Sequence, residues 1–258
     1  MPKGSKRKSV LGEARAWATK RGLFGPQAFL KYVILRFTEN LNQVSDDIVF
    51  KGGNLLWVYI GTPRATVDLD LTTLKTKGHD RARELIERAC AHESEIEFSI
   101  EAFKEVEQQG KLGAALVIGY RTEQGARNRF EVDLVYALMT DTHEIPSPIH
   151  PEVKLRSATL ENIIVDKISA CHRFEASNSR MKDFDDLWRL SRSDARVESN
   201  RLKKLLTARK VEPALDSRWI TSDLDRLWRQ HRKRYPYLPE SLAFVLSEVN
   251  AWILKTLE

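Results

Sequence analysis

The stretch Phe50–Leu71, FKGGNLLWVYIGTPRATVDLDL, constrains this chain more than any other. The short run Asp47–Phe50 reads as a strand and is followed by the glycine pair Gly52-Gly53. An apolar helical segment comes next, then Arg64, then the alternating run Thr66-Val67-Asp68-Leu69-Asp70-Leu71. In a strand, residues two apart share a face. Asp68 and Asp70 therefore project side by side, while Val67, Leu69 and Leu71 face a core. Neighbouring carboxylates repel; a divalent ion between them removes that cost and serves phosphoryl chemistry. Glycines ahead of a helix let the backbone approach a phosphate and leave N–H donors for it. Taken singly, a glycine pair is a turn and an Asp-x-Asp is a solvated face. Taken together, with residues 55–67 between Gly-Gly-Asn and Asp68, they fit a strand–turn–helix–loop–strand unit that brings the turn and the carboxylates to one end of a sheet.

Composition narrows the class. At 258 residues, 42% hydrophobic and 30% charged, the chain is one large or two small globular domains with a sizeable core. No apolar run approaches the roughly 18 residues of a membrane span, so no membrane association is expected. The N-terminal MPKGSKRKSV is basic without an apolar run after it, and reads as a disordered tail rather than a secretory signal. Cys90 and Cys171 lie far apart in helical patterns, as buried reduced thiols of a cytoplasmic protein do. Net charge is +6, and residues 151–258 hold 21 Lys/Arg against 16 Asp/Glu, so the excess sits in the C-terminal part. That suits a nucleic acid or a highly charged nucleotide, although alone it decides nothing.

Helices are expected over 9–21 and 27–44, the second with a broad apolar surface and Pro26 at its start. Another follows at 80–92. Residues 96–106, 114–122 and 129–137 read as a meander of strands. In the last, Glu131 and Asp133 share one face, and Phe130, Val132 and Leu134 the other. Pro146, Pro148 and Pro151 make SPIHPEV a linker or turn, and a domain boundary is placed near residue 150: residues 1–150 sheet-bearing, 151–258 helical. In the helical part, Lys167 falls within an apolar pattern, where a lysine must snorkel or meet an anion. Asp183 and Asp185 open a helix, a position its dipole favours. Helices near 198–210, 221–233 and 239–256 bring Leu202, Leu206, Leu224, Phe244 and Leu246 to a core. The run Arg229–Arg234 is a basic helix end.

Gly52-Gly53 with the spaced Asp68-x-Asp70 resembles the motif of the polymerase-beta-like nucleotidyltransferase superfamily. In that pattern a third acidic residue comes from a later strand, and Val132-Asp133-Leu134 matches it. The order KGGN…R-x-T-x-D-x-D-L, then L-E-N-I-I-x-D-K-x-x-A-x-x-R, then R-x-K-D-x-x-D-L resembles the AbiEii family of toxins, which includes the MenT group. The resemblance covers most of residues 45–190. It implies an α+β fold: a nucleotidyltransferase-type mixed sheet flanked by helices, then an all-α C-terminal domain. It implies that Gly52, Gly53 and Asn54 cradle a triphosphate, with Asn54 standing where many members have Ser or Thr. Arg64 and Thr66 match residues ahead of the acidic pair; Thr66 stands where the family often has Ser, a difference that matters if that hydroxyl is a modification site. Asp68 and Asp70 would hold Mg²⁺, with Asp133 joining them, Lys167 would contact the phosphates, and Asp183 matches the acidic residue of the last motif.

The expected activity is a Mg²⁺-dependent transfer of nucleotides from NTP to RNA, above all to the tRNA 3′ end, with pyrophosphate released and translation blocked. A separately encoded antitoxin is the expected partner. Two other readings stay open: nucleotidyl transfer to a small molecule such as an antibiotic, and a catalytically inactive module that binds RNA or a partner.

Overall fold

The computed structural model describes residues 9–61, 66–108, 110–137 and 140–258. The basic tail read at the extreme N-terminus lies mostly outside the described residues, and so does Arg64.

Two helices come first. Helix α1 (Val10–Thr19) is capped by Ser9, whose hydroxyl accepts from the Gly12 N–H. Helix α2 (Pro26–Val44) has Pro26 in its first turn, where the missing N–H costs nothing. It is enclosed nearly all round: Tyr32, Val33, Ile34, Leu35 and Phe37 are buried, and so are Lys31, Arg36, Glu39 and Asn40. A seven-stranded mixed sheet follows, in the order β3-β4-β5-β2-β1-β7-β6. Its strands are β1 (Ile48–Lys51), β2 (Asp68–Thr73), β3 (Ile96–Gln108), β4 (Lys111–Thr122), β5 (Arg127–Val135), β6 (Thr142–Pro146) and β7 (Lys154–Ala158). Between them run α3 (Gly52–Ile60) and α4 (His79–Ala91).

The hairpins β3–β4 and β4–β5 are antiparallel, which is the expected meander. The centre is different: β2 runs antiparallel to β1 but parallel to β5. Alternation holds where it was read. Leu69, Leu71, Phe130, Val132 and Leu134 are buried, and Glu131 and Asp133 lie on the opposite, exposed face. Val67 departs from the expectation: it precedes β2 and is 48% exposed.

Strands β6 and β7 flank the proline cluster read as a linker. Residue Pro146 closes β6 at the sheet edge, where a missing donor breaks no interior ladder. Strand β7 pairs parallel to β1. A buried carboxylate binds the turn between them: Glu39 of α2 accepts from the Ser147 hydroxyl and lies 2.9 Å from Nδ1 of His150.

The remaining helices are α5 (Leu160–Phe174), α6 (Met181–Ser191), α7 (Ser199–Arg209), α8 (Ser222–Arg234) and α9 (Leu242–Leu257). Side chains of Thr159, Thr221 and Ser241 cap α5, α8 and α9, each satisfying an otherwise orphaned N–H. Packing divides the chain into a sheet-bearing unit reaching Ala158 and a helical unit from Thr159 on, the latter including residues around Tyr59. In α9 the buried stripe is Leu242, Val245, Leu246, Val249 and Ile253. That 3.6-residue spacing puts Phe244 on the other side, 52% exposed, against the expectation that it is a core residue. Both cysteines are free thiols. Among the described residues no helix is long and apolar enough to cross a membrane.

Candidate active site

The sheet unit gathers three carboxylates. Asp68 and Asp70 point the same way from β2, and the parallel register sets Asp70 beside Asp133 of β5 and Asp68 beside Glu131. One oxygen each from Asp68, Asp70 and Asp133 lies within 4.8 Å of the others. Three hard oxygen donors at that separation suit a small divalent cation such as Mg²⁺.

The glycine turn sits against this cluster. Residue Gly52 has φ +73°, and a Cβ there would lie 1.8 Å from Oδ2 of Asp70 and 2.5 Å from its Cβ. Only glycine fits: the backbone conformation and the missing side chain are both required. The Gly53 N–H donates to Oδ2 of Asp70 at 3.3 Å. The turn thus holds one carboxylate directly.

Asn54 secures the other half. It is 1% exposed, and its Nδ2 donates to the main-chain oxygen of Asp68 at 2.6 Å. Its Oδ1 accepts from Nζ of Lys31 at 2.9 Å. That same ammonium stands 4.6 Å from the centre of the Trp57 ring, a cation–π contact. A chain of contacts therefore links α2 through α3 to the first residue of β2. Sequence reading missed Lys31. The available signal was a lysine among Ala28, Tyr32, Ile34 and Leu35, the pattern that singled out Lys167.

Thr66 is 6% exposed, and its hydroxyl has no hydrogen-bond partner among the described residues. At the far end of β2, Asp47 accepts the N–H groups of Leu74, Lys75 and Thr76 at 2.9, 2.6 and 3.0 Å. Burial works against its charge, but the bonds to Thr76, Lys75 and Leu74 outweigh it and hold the carboxyl below its usual value.

The helical unit carries the other two sequence candidates. Nζ of Lys167, on α5, lies 2.5 Å from Oδ2 of Asp186 and 3.4 Å from Oδ1 of Asp183, both on α6. Arg180 closes the group with Nε 2.7 Å from Oδ2 of Asp183. All but Arg180 are more than nine-tenths buried. The lysine meets its anions inside the protein, so the pattern that flagged it was a buried ion cluster. The tightest partner, Asp186, was quoted within the last motif but given no role. Asp185, read as a helix-dipole residue, is fully buried and pairs with Arg189 and with Nε2 of His231 at 2.9 Å.

The sequence signature described as "Nucleotidyl transferase AbiEii toxin, Type IV TA system" matches residues 36–252. The chain belongs to the AbiEii family. It is therefore a member of a nucleotidyltransferase toxin family of type IV toxin–antitoxin systems, and membership implies an antitoxin partner. No curated protein matches the chain. Among solved structures, JHP933 from Helicobacter pylori superposes with a TM-score of 0.57 at 16% identity, covering 91% of this chain and 93% of that one. A provisionally assigned nucleotidyltransferase from Helicobacter pylori gives 0.53 at 18%, covering 91% and 96%. At such identities the likeness is one of fold: an α+β nucleotidyltransferase-like sheet with a helical C-terminal part.

Proposed function

We propose that this AbiEii protein is a Mg²⁺-dependent enzyme that moves a nucleotide from an NTP to the 3′ end of RNA, above all tRNA. The observation that supports this most is the convergence of Asp68, Asp70 and Asp133 beside the Gly52-Gly53 turn. In the reaction, a 3′-hydroxyl oxygen of the acceptor bonds to the α-phosphorus. The bond from that phosphorus to the β-bridging oxygen breaks, pyrophosphate leaves, and the hydroxyl proton passes to solvent. Little covalent work falls to the protein, so positioning and charge carry the rate.

Asp68, Asp70 and Asp133 would hold the ion. When bound, Mg²⁺ lowers the pKa of the attacking hydroxyl and neutralises the triphosphate. The chain's own residues do the rest. The Gly53 N–H orients Asp70. Asn54, fixed by Lys31, holds the backbone at Asp68. The bare backbone at Gly52 lets the Asp70 carboxylate pack against the turn. Lys167, held between Asp183 and Asp186, is proposed as a cation for the triphosphate.

The test is incubation of the protein with labelled NTPs, Mg²⁺, total RNA and candidate small molecules. Label should enter RNA, and Asp68→Ala should abolish both labelling and growth inhibition while remaining folded. A folded Asp68→Ala protein that still labels RNA would falsify the proposal. Label found only in a small molecule would redirect it.

A further inference from the structure

One lysine of the sheet unit stands on the carboxylate face. Lys51 closes β1, immediately before the glycine turn. Its cross-strand partner in the antiparallel pair with β2 is Asp70, and Asp70 is level in turn with Asp133 of β5. Residues directly opposite one another share a face of the sheet. Asp133, Asp70 and Lys51 therefore form one row across three adjacent strands, about 10 Å long at two strand spacings. The other face of β1 belongs to the core, where Ile48 and Phe50 are fully buried.

Opposite charges directly across a strand pair attract, yet Lys51 does not close on Asp70. That carboxylate gives Oδ2 to the Gly53 N–H and joins Asp68 and Asp133 in the cluster. Lys51 is half-buried, and among the described residues no hydrogen bond or ion pair occupies it. Withdrawing an ammonium from water costs free energy unless an anion compensates it. Lys167 differs in this respect, because Asp183 and Asp186 already hold its ammonium.

Charge indicates which anion fits. Three carboxylates outweigh one divalent ion, so the loaded site stays anionic and repels a triphosphate unless a cation stands beside it. A compact ammonium on a flexible stem meets phosphate oxygens as a point charge. An ion at the carboxylates and an ammonium at the other end of the row suit an anion long enough to meet both. A triphosphate is that long; the carboxylate of a partner protein is not.

We propose that Lys51 is a further substrate-binding residue, which holds the leaving phosphates of the NTP at the β1 end of this row. The proposal deepens the nucleotidyl-transfer reading and rests on it. As the bond from the α-phosphorus to the bridging oxygen breaks, its electron pair stays with the pyrophosphate. The Lys51 ammonium offsets the charge that collects there, and no proton moves at Lys51.

The experiment uses the full chain, with inorganic tripolyphosphate and Mg²⁺ as the probe, followed by calorimetry; ATP, GTP, CTP and UTP are run in parallel. Lys51→Met should weaken tripolyphosphate and the NTP that binds by the same factor, about ten- to a hundredfold, as expected for a hydrogen bond between charged groups. Lys51→Arg should recover part of it. Affinity for Mg²⁺ alone should hold or rise, because a positive charge beside Asp70 has gone. Urea unfolding shows whether each variant is folded. A second measurement needs no substitution. Acetylation of the wild-type protein, read by peptide mass spectrometry, should be slowed at Lys51 by Mg²⁺ with tripolyphosphate and not by Mg²⁺ alone.

Unchanged tripolyphosphate affinity in a folded Lys51→Met protein overturns the proposal. So does acetylation of Lys51 that tripolyphosphate leaves unslowed, or a wild-type protein that does not bind the probe. If Lys51→Met loses affinity for Mg²⁺ alone by as much as for tripolyphosphate, the lysine only supports the carboxylates and the proposal falls. Failure here is separable from failure of the transfer reading. Labelling of RNA that Asp68→Ala abolishes upholds the chemistry whatever Lys51 does.

Discussion

Replacing Gly52 with alanine tests the geometry of the carboxylate cluster directly. Two effects add. At φ +73° an L-residue is strained, which costs about 1–2 kcal/mol. The new methyl would also stand 1.8 Å from Oδ2, 2.4 Å from Cγ and 2.5 Å from Cβ of Asp70. Contact reaches back to Cβ, so a small swing of the carboxylate does not relieve it. Either Asp70 turns away from Asp68 and Asp133, or the turn withdraws and the Gly53 N–H loses Asp70. The strain alone shifts the folding equilibrium by roughly 5- to 30-fold, leaving most molecules folded in a domain of ordinary stability. Catalysis should suffer more, because misplacing a reacting group by about 1 Å can cost about a hundredfold. Urea unfolding and NTP incorporation, measured on the same preparation, separate the two. A Gly52→Ala protein with full incorporation would refute the reasoning, because the cluster would then tolerate a displaced Asp70. So would a protein whose activity falls only in step with its folded fraction.

Other perturbations follow from the same contacts. Lys31→Met leaves Asn54 free to turn over; kcat should fall at least about tenfold with the KM for NTP little changed, and Lys31→Arg should recover part of it. A KM effect alone would argue against a positioning role. Lys167→Met removes the ammonium 2.5 Å from the buried Asp186 and should cost about 3–5 kcal/mol in urea unfolding. Adding Asp186→Leu should return much of that; if the double variant is no more stable than the single, the pair is not coupled. Asp47 titrates lower in the folded chain than in the unfolded one, so its stabilisation is present above the unfolded carboxyl pKa of about 3.9 and is lost as pH falls through the folded value. The stability gap between wild type and Asp47→Asn should therefore be full at neutral pH and close below about pH 4. A gap that is constant down to acid would rule out the linkage.

What could be read from the sequence depended on whether the information was local. The unit from Ile48 to Thr73 was legible because alternation, a glycine pair and an apolar helix follow one another without interruption. The face shared by Glu131 and Asp133 was equally plain. The meeting of Asp133 with Asp68 and Asp70 was expected only through the superfamily resemblance, since it depends on the parallel register of β2 with β5 and no local pattern specifies which strands pair. Strands β6 and β7 were lost among three prolines, whose usual meaning is a turn; the edge position of β6 made Pro146 compatible with a short strand. Buried charges were the hardest. Lys31, Glu39 and Asp186 each look like surface residues until the partner supplied by another element is known. Lys167 stood out only because its neighbours were so apolar, and even then its anions could not be named.

The parallel pairing of β2 with β5 also fixes when a newly made chain completes its carboxylate cluster. Some sixty residues separate Asp70 from Asp133, and contacts that distant form late and slowly. A ribosome that has delivered only the first hundred residues has made the glycine turn and two of the acids, but not the three-carboxylate cluster. In a chain of a toxin family, synthesis itself therefore separates the first two acids from the third by a measurable delay.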